Sequence, residues 1–160
     1  MIRVQRDDFD PGAELARFSA GRTGVGGICL FIGLVRDYLG PDPATGATVQ
    51  AMTLEHYPGM TERQLEAIEA EARRRWPLDD ALVIHRFGRL DAGERIVLVA
   101  ASSAHRDAAF DACRFLMDWL KTKAPFWKVE HTDQGESWVD ARDSDAAAAA
   151  RWNAGGVKPA

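Results

Sequence analysis

The chain has 160 residues, of which 20 are lysine or arginine and 24 are aspartate or glutamate, so its net charge at pH 7 is −4. This length suits one domain with a sizeable core. The acidic balance argues against a general binder of nucleic acid or of anionic membranes, because such proteins are basic overall.

The sequence shows no sign of export or of membrane insertion. No apolar run approaches the roughly 18 residues that a membrane span needs. Residues 1–10 also lack the apolar segment of a signal peptide. We therefore expect a cytoplasmic protein without a membrane partner.

Cysteine and histidine usage does not suggest a metal or redox centre. Cys29 and Cys113 lie in apolar runs, where a thiol packs as a small hydrophobic side chain. The four histidines lack the close spacing of metal ligands. The sequence therefore predicts no metal site and no cofactor.

The first part of the chain predicts two strands and a helix. Residues 1–5 are typical of a short edge strand, and a helix is expected over residues 11–18, with Asp10 as its N-cap. The apolar run of residues 25–37 predicts a buried strand, and its glycines favour close backbone packing or a bulge over a phosphate loop. Arg36 follows, where its side chain reaches either a pocket mouth or solvent.

The middle of the chain predicts a strand and an amphipathic helix. The turn-forming residues 40–46 indicate an exposed hairpin tip or crossover, and residues 49–56 alternate as a strand. Thr61 begins a capping-box pattern for a helix that ends near residue 75. The buried stripe of this helix is expected to comprise Leu65, Ile68, Ala72 and Trp76.

Two further strands and a long helix follow. Strands are predicted at residues 81–87 and 95–101, joined by a turn, and the continuous apolar run of the second strand suggests a central position. Either Ser102 or Ser103 can cap the helix that comes next. Its first N–H groups, with His105 and Arg106, offer an anion site, unless this is simply a capped helix start.

The segment KTKAPFWK, residues 121–128, is the most informative stretch. The preceding helix has the spacing of one buried face, with apolar residues at Phe110, Cys113, Leu116 or Met117, and Leu120.

Pro125 ends this helix, and residues 127–131 are expected to form a strand. Lysines at a helix C-terminus can simply complement the helix dipole. Lys121 and Lys128 flank an apolar patch, however, and a partly desolvated lysine near other cations can exchange protons near neutral pH.

The end of the chain predicts a short strand at residues 137–139 and a last helix. We expect residues 1–152 to form a single domain and residues 153–160 to be a flexible tail.

The two basic clusters lie at opposite ends of one helix. His105 and Lys121 are 16 residues apart in sequence, or about 24 Å along the helix. A small phosphorylated molecule spans only part of that distance. The protein therefore has either two anion sites or one site assembled across a dimer, and a two-fold contact favours the dimer.

Several long segments resemble the MoaE family, the large, catalytic subunits of molybdopterin synthase. In chain order they are FIGLVRD, TLEHYPGMTE, RWPL, VIHRFGRL, SSAHRDAAF, DWLKTKAPFWK and WVDARDSD, and together they extend over residues 25–152. The resemblance implies an α+β fold of the α/β-hammerhead type, with a mostly antiparallel sheet and three to four helices. It also implies a homodimer with a small ubiquitin-like sulfur carrier (MoaD-like) at each outer end, making a heterotetramer.

The resemblance further implies a reaction. The family transfers sulfur from the thiocarboxylate at the carrier's C-terminal Gly-Gly to cyclic pyranopterin monophosphate, giving the dithiolene of molybdopterin. Because substrate and donor are both anionic, such chemistry needs positioned cations and a proton relay. The carrier's tail is expected to bind along the strand at residues 128–131 or its neighbour.

Carried onto this chain, the resemblance implies roles for eight residues. Lys121 and Lys128 would be the catalytic lysines beside the thiocarboxylate, and Arg36 would bind phosphate in the same subunit. Phe31 and Met117 would line the pocket, unless they are ordinary core residues. A second copy of the chain would supply further substrate-binding groups, namely His105, Arg106 and Arg142.

One departure and two alternatives accompany this interpretation. Leu34 stands where family members often carry lysine, so a charged contact there is in doubt. A catalytically silent scaffold that binds the sulfur carrier would keep the same fold. A phosphate-ester hydrolase acting on nucleotides would also need basic residues, but the sequence has no evident nucleophile or metal cluster for it.

Overall fold

The structure is a computed structural model that describes residues 1–39, 44, 46–138 and 143–153. Over these ranges the chain forms, in order, β1 (Ile2–Gln5), α1 (Pro11–Ser19), β2 (Gly27–Leu34), β3 (Val49–His56), α2 (Met60–Arg75), β4 (Leu78–Arg86), β5 (Gly88–Asp91), β6 (Arg95–Ser103), α3 (Arg106–Lys123), β7 (Phe126–Thr132), β8 (Gly135–Trp138) and α4 (Asp143–Ala150).

The described strands form two four-stranded sheets. Sheet 1 has the order β1-β4-β6-β2 and sheet 2 the order β5-β3-β7-β8. The pairing of β1 with β4 is parallel, and the other strand pairings are antiparallel. The α+β fold with mostly antiparallel sheet and up to four helices is therefore confirmed. No helix in the described ranges is long and apolar enough to cross a membrane.

Sheet 1 is covered by helices on both faces. Val97, Val99 and Ala101 of β6 pack into a cluster with α2 and α3. Leu98 and Ala100 of the same strand pack on the opposite face, in a cluster with Phe9 and Phe18. Because both faces of β6 are buried, its side chains show no polar alternation, and the predicted central position is confirmed.

The strand predicted within residues 25–37 is present as β2, but the prediction that it is buried is wrong. β2 is an edge strand of sheet 1, and its residues are partly or largely exposed. The expected role of the glycines is confirmed, because a Cβ at Gly26 would overlap the carbonyl oxygen of Ala104. The register of β2 on β6 also shifts between Gly33 and Leu34, as in a bulge.

Both side-chain caps predicted for the long helices are wrong. α2 begins two residues earlier than the Thr61 pattern suggested, with Gly59 at the N-cap and its N–H donating to Glu62 Oε2 at 2.6 Å. α3 has His105 at its N-cap without a side-chain cap bond. Ser103 is instead buried at the end of β6, and its hydroxyl donates to the carbonyl oxygen of Pro77.

Two further expectations need correction. The predicted stripe of α3 is confirmed for Cys113, Leu116 and Leu120, which are buried. Phe110 does not belong to it, because 60 % of this residue is exposed. The segment between β4 and β6 is not only a turn, since it contains β5, which pairs with β3. Three predictions fall outside the described residues: the hairpin tip at residues 40–43, the strand end at residue 139 and the flexible tail at residues 154–160.

Three aromatic rings join α2, α3 and the end of the chain. Trp76, Phe115 and Trp152 pack edge to face, with centroids 5.3 to 5.6 Å apart. The indole N–H of Trp152 donates to Asp118 Oδ2 at 2.8 Å, and Arg75 donates to the Trp152 carbonyl oxygen. These contacts fix α4 against α3.

We expect Trp152→Ala to lower the free energy of unfolding by about 3 kcal/mol, because it removes a buried indole from this cluster and leaves a cavity. Urea denaturation followed by circular dichroism measures the change. Trp138→Ala is the matched control, because 66 % of Trp138 is exposed. Equal losses for the two variants would show that the cluster does not hold α4.

Candidate functional site

A cleft of about 740 Å³ opens between the two sheets at the C-terminal end of α3. Such a volume suits a small-molecule ligand. Five of the eight residues predicted to form the site line this cleft: Phe31, Arg36, Met117, Lys121 and Lys128.

The turn between α3 and β7 brings the two lysines to the same cleft. α3 ends at Lys123, Pro125 follows, and β7 starts at Phe126. The carbonyl oxygen of Pro125 accepts a hydrogen bond from the hydroxyl of buried Thr61, which ties the turn to α2. Helix and strand therefore each present one lysine to the same space.

Alternate residues of β7 face the cleft. Phe126, Lys128 and Glu130 line it, as the two-residue period of a strand requires. Trp127 points to the opposite face of sheet 2 and is largely exposed there, next to the ring of Tyr57. The alternation along β7 therefore places Lys128 and Glu130 in the cleft and Trp127 on the outer face.

Lys128 and Glu130 form a close ion pair inside the cleft. Lys128 Nζ lies 2.7 Å from Glu130 Oε1, and only 5 % of the Glu130 side chain is exposed. Glu130 Oε2 is buried and has no hydrogen-bond partner among the described residues. The carboxylate balances the charge of the lysine and keeps one acceptor position open.

Lys121 is paired more loosely. Its Nζ lies 3.6 Å from Asp145 Oδ1 of α4, and more than half of its side chain is exposed. Lys123, two residues further, does not line the cleft and lies over the Trp119 ring at 3.3 Å. Of the two lysines in the last turn of α3, only Lys121 therefore faces the candidate site.

The wall opposite the lysines comes from β2 and the residues after it. The Arg36 guanidinium lies 4.8 Å from the centre of the Tyr38 ring, a cation–π contact. Phe31 and Leu34 line the cleft with exposed apolar surface. Leu34, which stands where family members often carry lysine, is therefore an apolar part of this wall.

Two of the other three predicted site residues lie away from this cleft. His105 and Arg106 lie at the opposite end of α3 and are exposed. Arg106 Nε lies 3.6 Å from Asp107 Oδ1. Arg142 lies outside the described residues.

Three cleft residues were missed by the sequence analysis: His85, Glu130 and Asp145. Glu130 and Asp145 became visible only when the fold brought them to the lysines. His85 stands within VIHRFGRL, but a histidine in an apolar strand carries no signal of its own.

His85 is a buried, neutral residue of the cleft floor. Its ring stacks on Phe126 with centroids 3.8 Å apart, and its Nδ1 lies 2.8 Å from the carbonyl oxygen of Arg86. Burial lowers the pKa of His85 to about 4, and nearby His56 acts in the same direction. The imidazole is therefore uncharged at neutral pH.

The cysteines pack as predicted. Cys113 is buried and Cys29 partly buried, and both are free thiols. Burial raises the pKa of Cys113, so this thiol does not act as a nucleophile at neutral pH. In the described part of the chain, no group of three or more histidine, cysteine or carboxylate side chains is arranged to hold a metal ion.

The expectation that a peptide tail pairs with residues 128–131 is wrong for that strand. Val129, Glu130 and His131 of β7 are paired with β3 on one side and with β8 on the other, so this part of the strand offers no free edge among the described residues. In sheet 2 the edge strands are β5 and β8, and in sheet 1 β2 is the edge strand beside the cleft.

These features define an α+β protein with a basic, small-molecule-sized cleft between two sheets. The model of the MoaE protein family matches residues 4–123. The chain belongs to this family.

Similar proteins agree with this assignment. The chain is 55 % identical over 151 residues to the molybdopterin synthase catalytic subunit of Pseudomonas aeruginosa, covering 94 % of this chain and 97 % of the relative. A solved MoaE protein from Burkholderia ambifaria superposes with a TM-score of 0.79 at 52 % identity, covering 96 % of this chain and 97 % of that one.

A more distant structure shares the fold. It is described as a protein–protein complex of subunits 1 and 2 of molybdopterin-converting factor from Helicobacter pylori. Its TM-score is 0.69 at 17 % identity, and the match covers 88 % of this chain and 91 % of that one.

We expect the stability of the protein to fall as the pH falls from about 6.5 to about 4. His85 has a lower pKa in the folded state than its ordinary 6.5, so the unfolded chain binds more protons in this range. Each pH unit should lower the free energy of unfolding by up to about 1.4 kcal/mol, with no contribution above pH 6.5.

Urea denaturation of wild type and His85→Asn between pH 7.5 and 5 measures this effect. The variant should lose most of the slope, because an asparagine side chain at position 85 does not bind a proton in this range. Below pH 5, Asp8 and Glu14, whose pKa values are lowered by arginine neighbours, add a decline of their own. The same slope in both proteins above pH 5 would contradict the assignment to His85.

Proposed function

We propose that this chain is the catalytic subunit in the transfer of sulfur from a small ubiquitin-like carrier to cyclic pyranopterin monophosphate, which gives the dithiolene of molybdopterin. The sulfur donor is the thiocarboxylate at the carrier's C-terminal Gly-Gly. The observation that carries the proposal is the convergence of Lys121 and Lys128 on one cleft in a chain of the MoaE family.

The charge of the cleft suits two anionic reactants. Arg36, Lys121 and Lys128 line it, while most of the remaining wall is apolar. Positioned cations stabilise negative charge strongly where water is largely excluded. Holding a phosphate ester and a thiocarboxylate side by side would also supply the gain from proximity.

The two lysines would act on the reacting groups. Each transfer forms a carbon–sulfur bond on the pterin side chain and breaks a carbon–oxygen bond there, with the oxygen leaving on the opened phosphate in one transfer and as water in the other. Water then attacks the carrier's acyl carbon and breaks its bond to sulfur, so the carrier leaves as a carboxylate. Lys121 and Lys128 would hold the thiocarboxylate and exchange protons. The contact of Lys128 with Glu130 at 2.7 Å gives that lysine a proton-accepting neighbour.

The other predicted residues would bind and shape the substrate. Arg36 would bind its phosphate from the same subunit. Phe31 and Met117 would cover the apolar part of the pterin, and 43 % of Phe31 is exposed for such a contact. An aromatic side chain this exposed beside a cleft is suited to a ligand more than to a core.

A homodimer would complete the site. His105, Arg106 and Arg142 would come from the second copy, because α3 is 18 residues long and Lys121 is near its other end. The edge strand β2, with Leu34 exposed, offers backbone and apolar surface for such a contact. We also propose that residues 1–152 form a single domain, with the protein in the cytoplasm.

The partner of this dimer would be a MoaD-like carrier. A two-subunit assembly is described for the Helicobacter pylori protein with the same fold. The carrier's extended tail would enter the cleft between the sheets, and the heterotetramer would contain two chains of each kind. The alternative is a catalytically silent scaffold that only binds the carrier. Such a scaffold would not need both Lys121 and Lys128 in the cleft.

We expect Lys121→Ala and Lys128→Ala each to lower the rate of product formation by at least about 100-fold, because each removes a proton-exchanging and anion-stabilising group. The assay mixes the protein with thiocarboxylated carrier and cyclic pyranopterin monophosphate. Product is followed by its fluorescent oxidation derivative, and the return of the carrier to carboxylate by mass spectrometry.

Lys123→Ala is the matched control, since Lys123 is on the same helix turn but outside the cleft. Its activity should stay within about threefold of wild type. Melting temperatures of the cleft variants should stay near that of wild type. Wild-type protein that binds a working carrier without forming product would support the scaffold instead.

We also expect subunit mixing to restore activity. Arg106→Ala and Lys121→Ala homodimers should each be nearly inactive, whereas a mixed dimer contains one site with both residues intact. Up to about half of the dimers formed by free exchange are mixed. Absence of any recovery, with exchange demonstrated by native mass spectrometry, would argue that each site lies within one subunit.

A further inference from the structure

His85 is held so that one of its ring nitrogens can only accept a hydrogen bond. Nδ1 lies 2.8 Å from the carbonyl oxygen of Arg86, and a carbonyl oxygen accepts only, so Nδ1 carries the proton. In a neutral imidazole the other nitrogen, Nε2, is then an acceptor. The stacking on Phe126 at 3.8 Å fixes the plane of the ring.

Nε2 remains open to the cleft. His85 lines the cleft, and none of the described residues makes a hydrogen bond to Nε2. Within the described ranges, the fully buried side-chain polar atoms that lack a partner are Arg3 Nε, Trp119 Nε1 and Glu130 Oε2, so the unpaired Nε2 of His85 is not itself fully buried. The small accessible part of this nearly buried residue therefore includes Nε2.

The chemistry of Nε2 differs from that of the cations around it. Lys121, Lys128 and Arg36 donate hydrogen bonds and attract negative charge. The carboxylates of the cleft are paired with lysines. His85 presents a neutral acceptor beside the apolar ring of Phe126.

A pterin has a matching set of groups. Its fused rings carry N–H donors and an exocyclic amine, whereas its phosphate and carbonyl groups accept hydrogen bonds. A buried acceptor discriminates strongly against a ligand that leaves it unpaired.

We propose that His85 is a positioning residue for the heterocycle of the substrate, with Nε2 accepting a hydrogen bond from one of its N–H groups. This inference rests on the proposed function, because it takes the substrate to be a pterin. It concerns orientation of the ring, and His85 takes no part in proton transfer or sulfur transfer. The residue would set how the pterin side chain faces Lys121 and Lys128.

Two substitutions separate this role from a structural one. Asparagine ends one bond beyond Cγ, so His85→Asn keeps a donor near the position of Nδ1 and loses the acceptor at Nε2. Glutamine ends two bonds beyond Cγ, so His85→Gln keeps an acceptor near the position of Nε2 and loses the bond to Arg86. Both variants lose the ring that stacks on Phe126, which makes them a matched pair.

Anaerobic titration of each dimer with cyclic pyranopterin monophosphate, without carrier, measures pterin affinity directly. We expect the Kd of His85→Asn to rise about tenfold and that of His85→Gln to stay within about threefold of wild type. Melting temperatures should rank the other way, with His85→Asn closer to wild type. In turnover assays the kcat/KM of His85→Asn should fall by at least about tenfold, because both the binding and the orientation of the pterin depend on this hydrogen bond.

Equal pterin affinities for the two variants would overturn the inference, as would affinities that follow the melting temperatures. Wild-type protein that does not bind the pterin at all would also overturn it. Wild-type protein that binds the pterin without turnover would count against the proposed function only, and the ranking of the two variants would still decide the role of His85.

Discussion

The short connection from α3 to β7 is the constraint on which the cleft depends. Pro125 cannot continue the helix, so the chain turns within two residues and continues as β7 in sheet 2. Lys121, on the helix, and Lys128, on the strand, therefore both reach the cleft. Thr61 holds the turn from α2, which links the position of the lysines to the packing of a second helix.

Electrostatic balance inside the cleft comes from residues distant in sequence. Lys128 is paired within β7 by Glu130, whereas Lys121 depends on Asp145, which α4 supplies. α4 in turn is fixed by the packing of Trp152 on Trp76 and Phe115. The aromatic cluster at the far side of α3 therefore affects the charge environment of the cleft, although it does not line it.

Much of the fold and part of the site could be predicted from sequence, because periodicity and proline are local signals. The strand at residues 49–56 and the helix that ends before Pro125 match the structure closely. Phe110 was assigned wrongly because it is a large apolar residue, whereas at this end of α3 the core contacts come from alanines, which carry little hydrophobic signal. The acceptors His85, Glu130 and Asp145 were missed because their role arises only from long-range contacts.

The pairing of β1 with β4 has a consequence for how the molecule folds. Ile2 lies opposite Val83, so sheet 1 joins segments separated by about half of the chain. Contacts of such large sequence separation slow folding, since a long loop must close before they form. β7 and α4 are synthesised after both of these strands, so during translation the frame of sheet 1 can form before the cleft is complete.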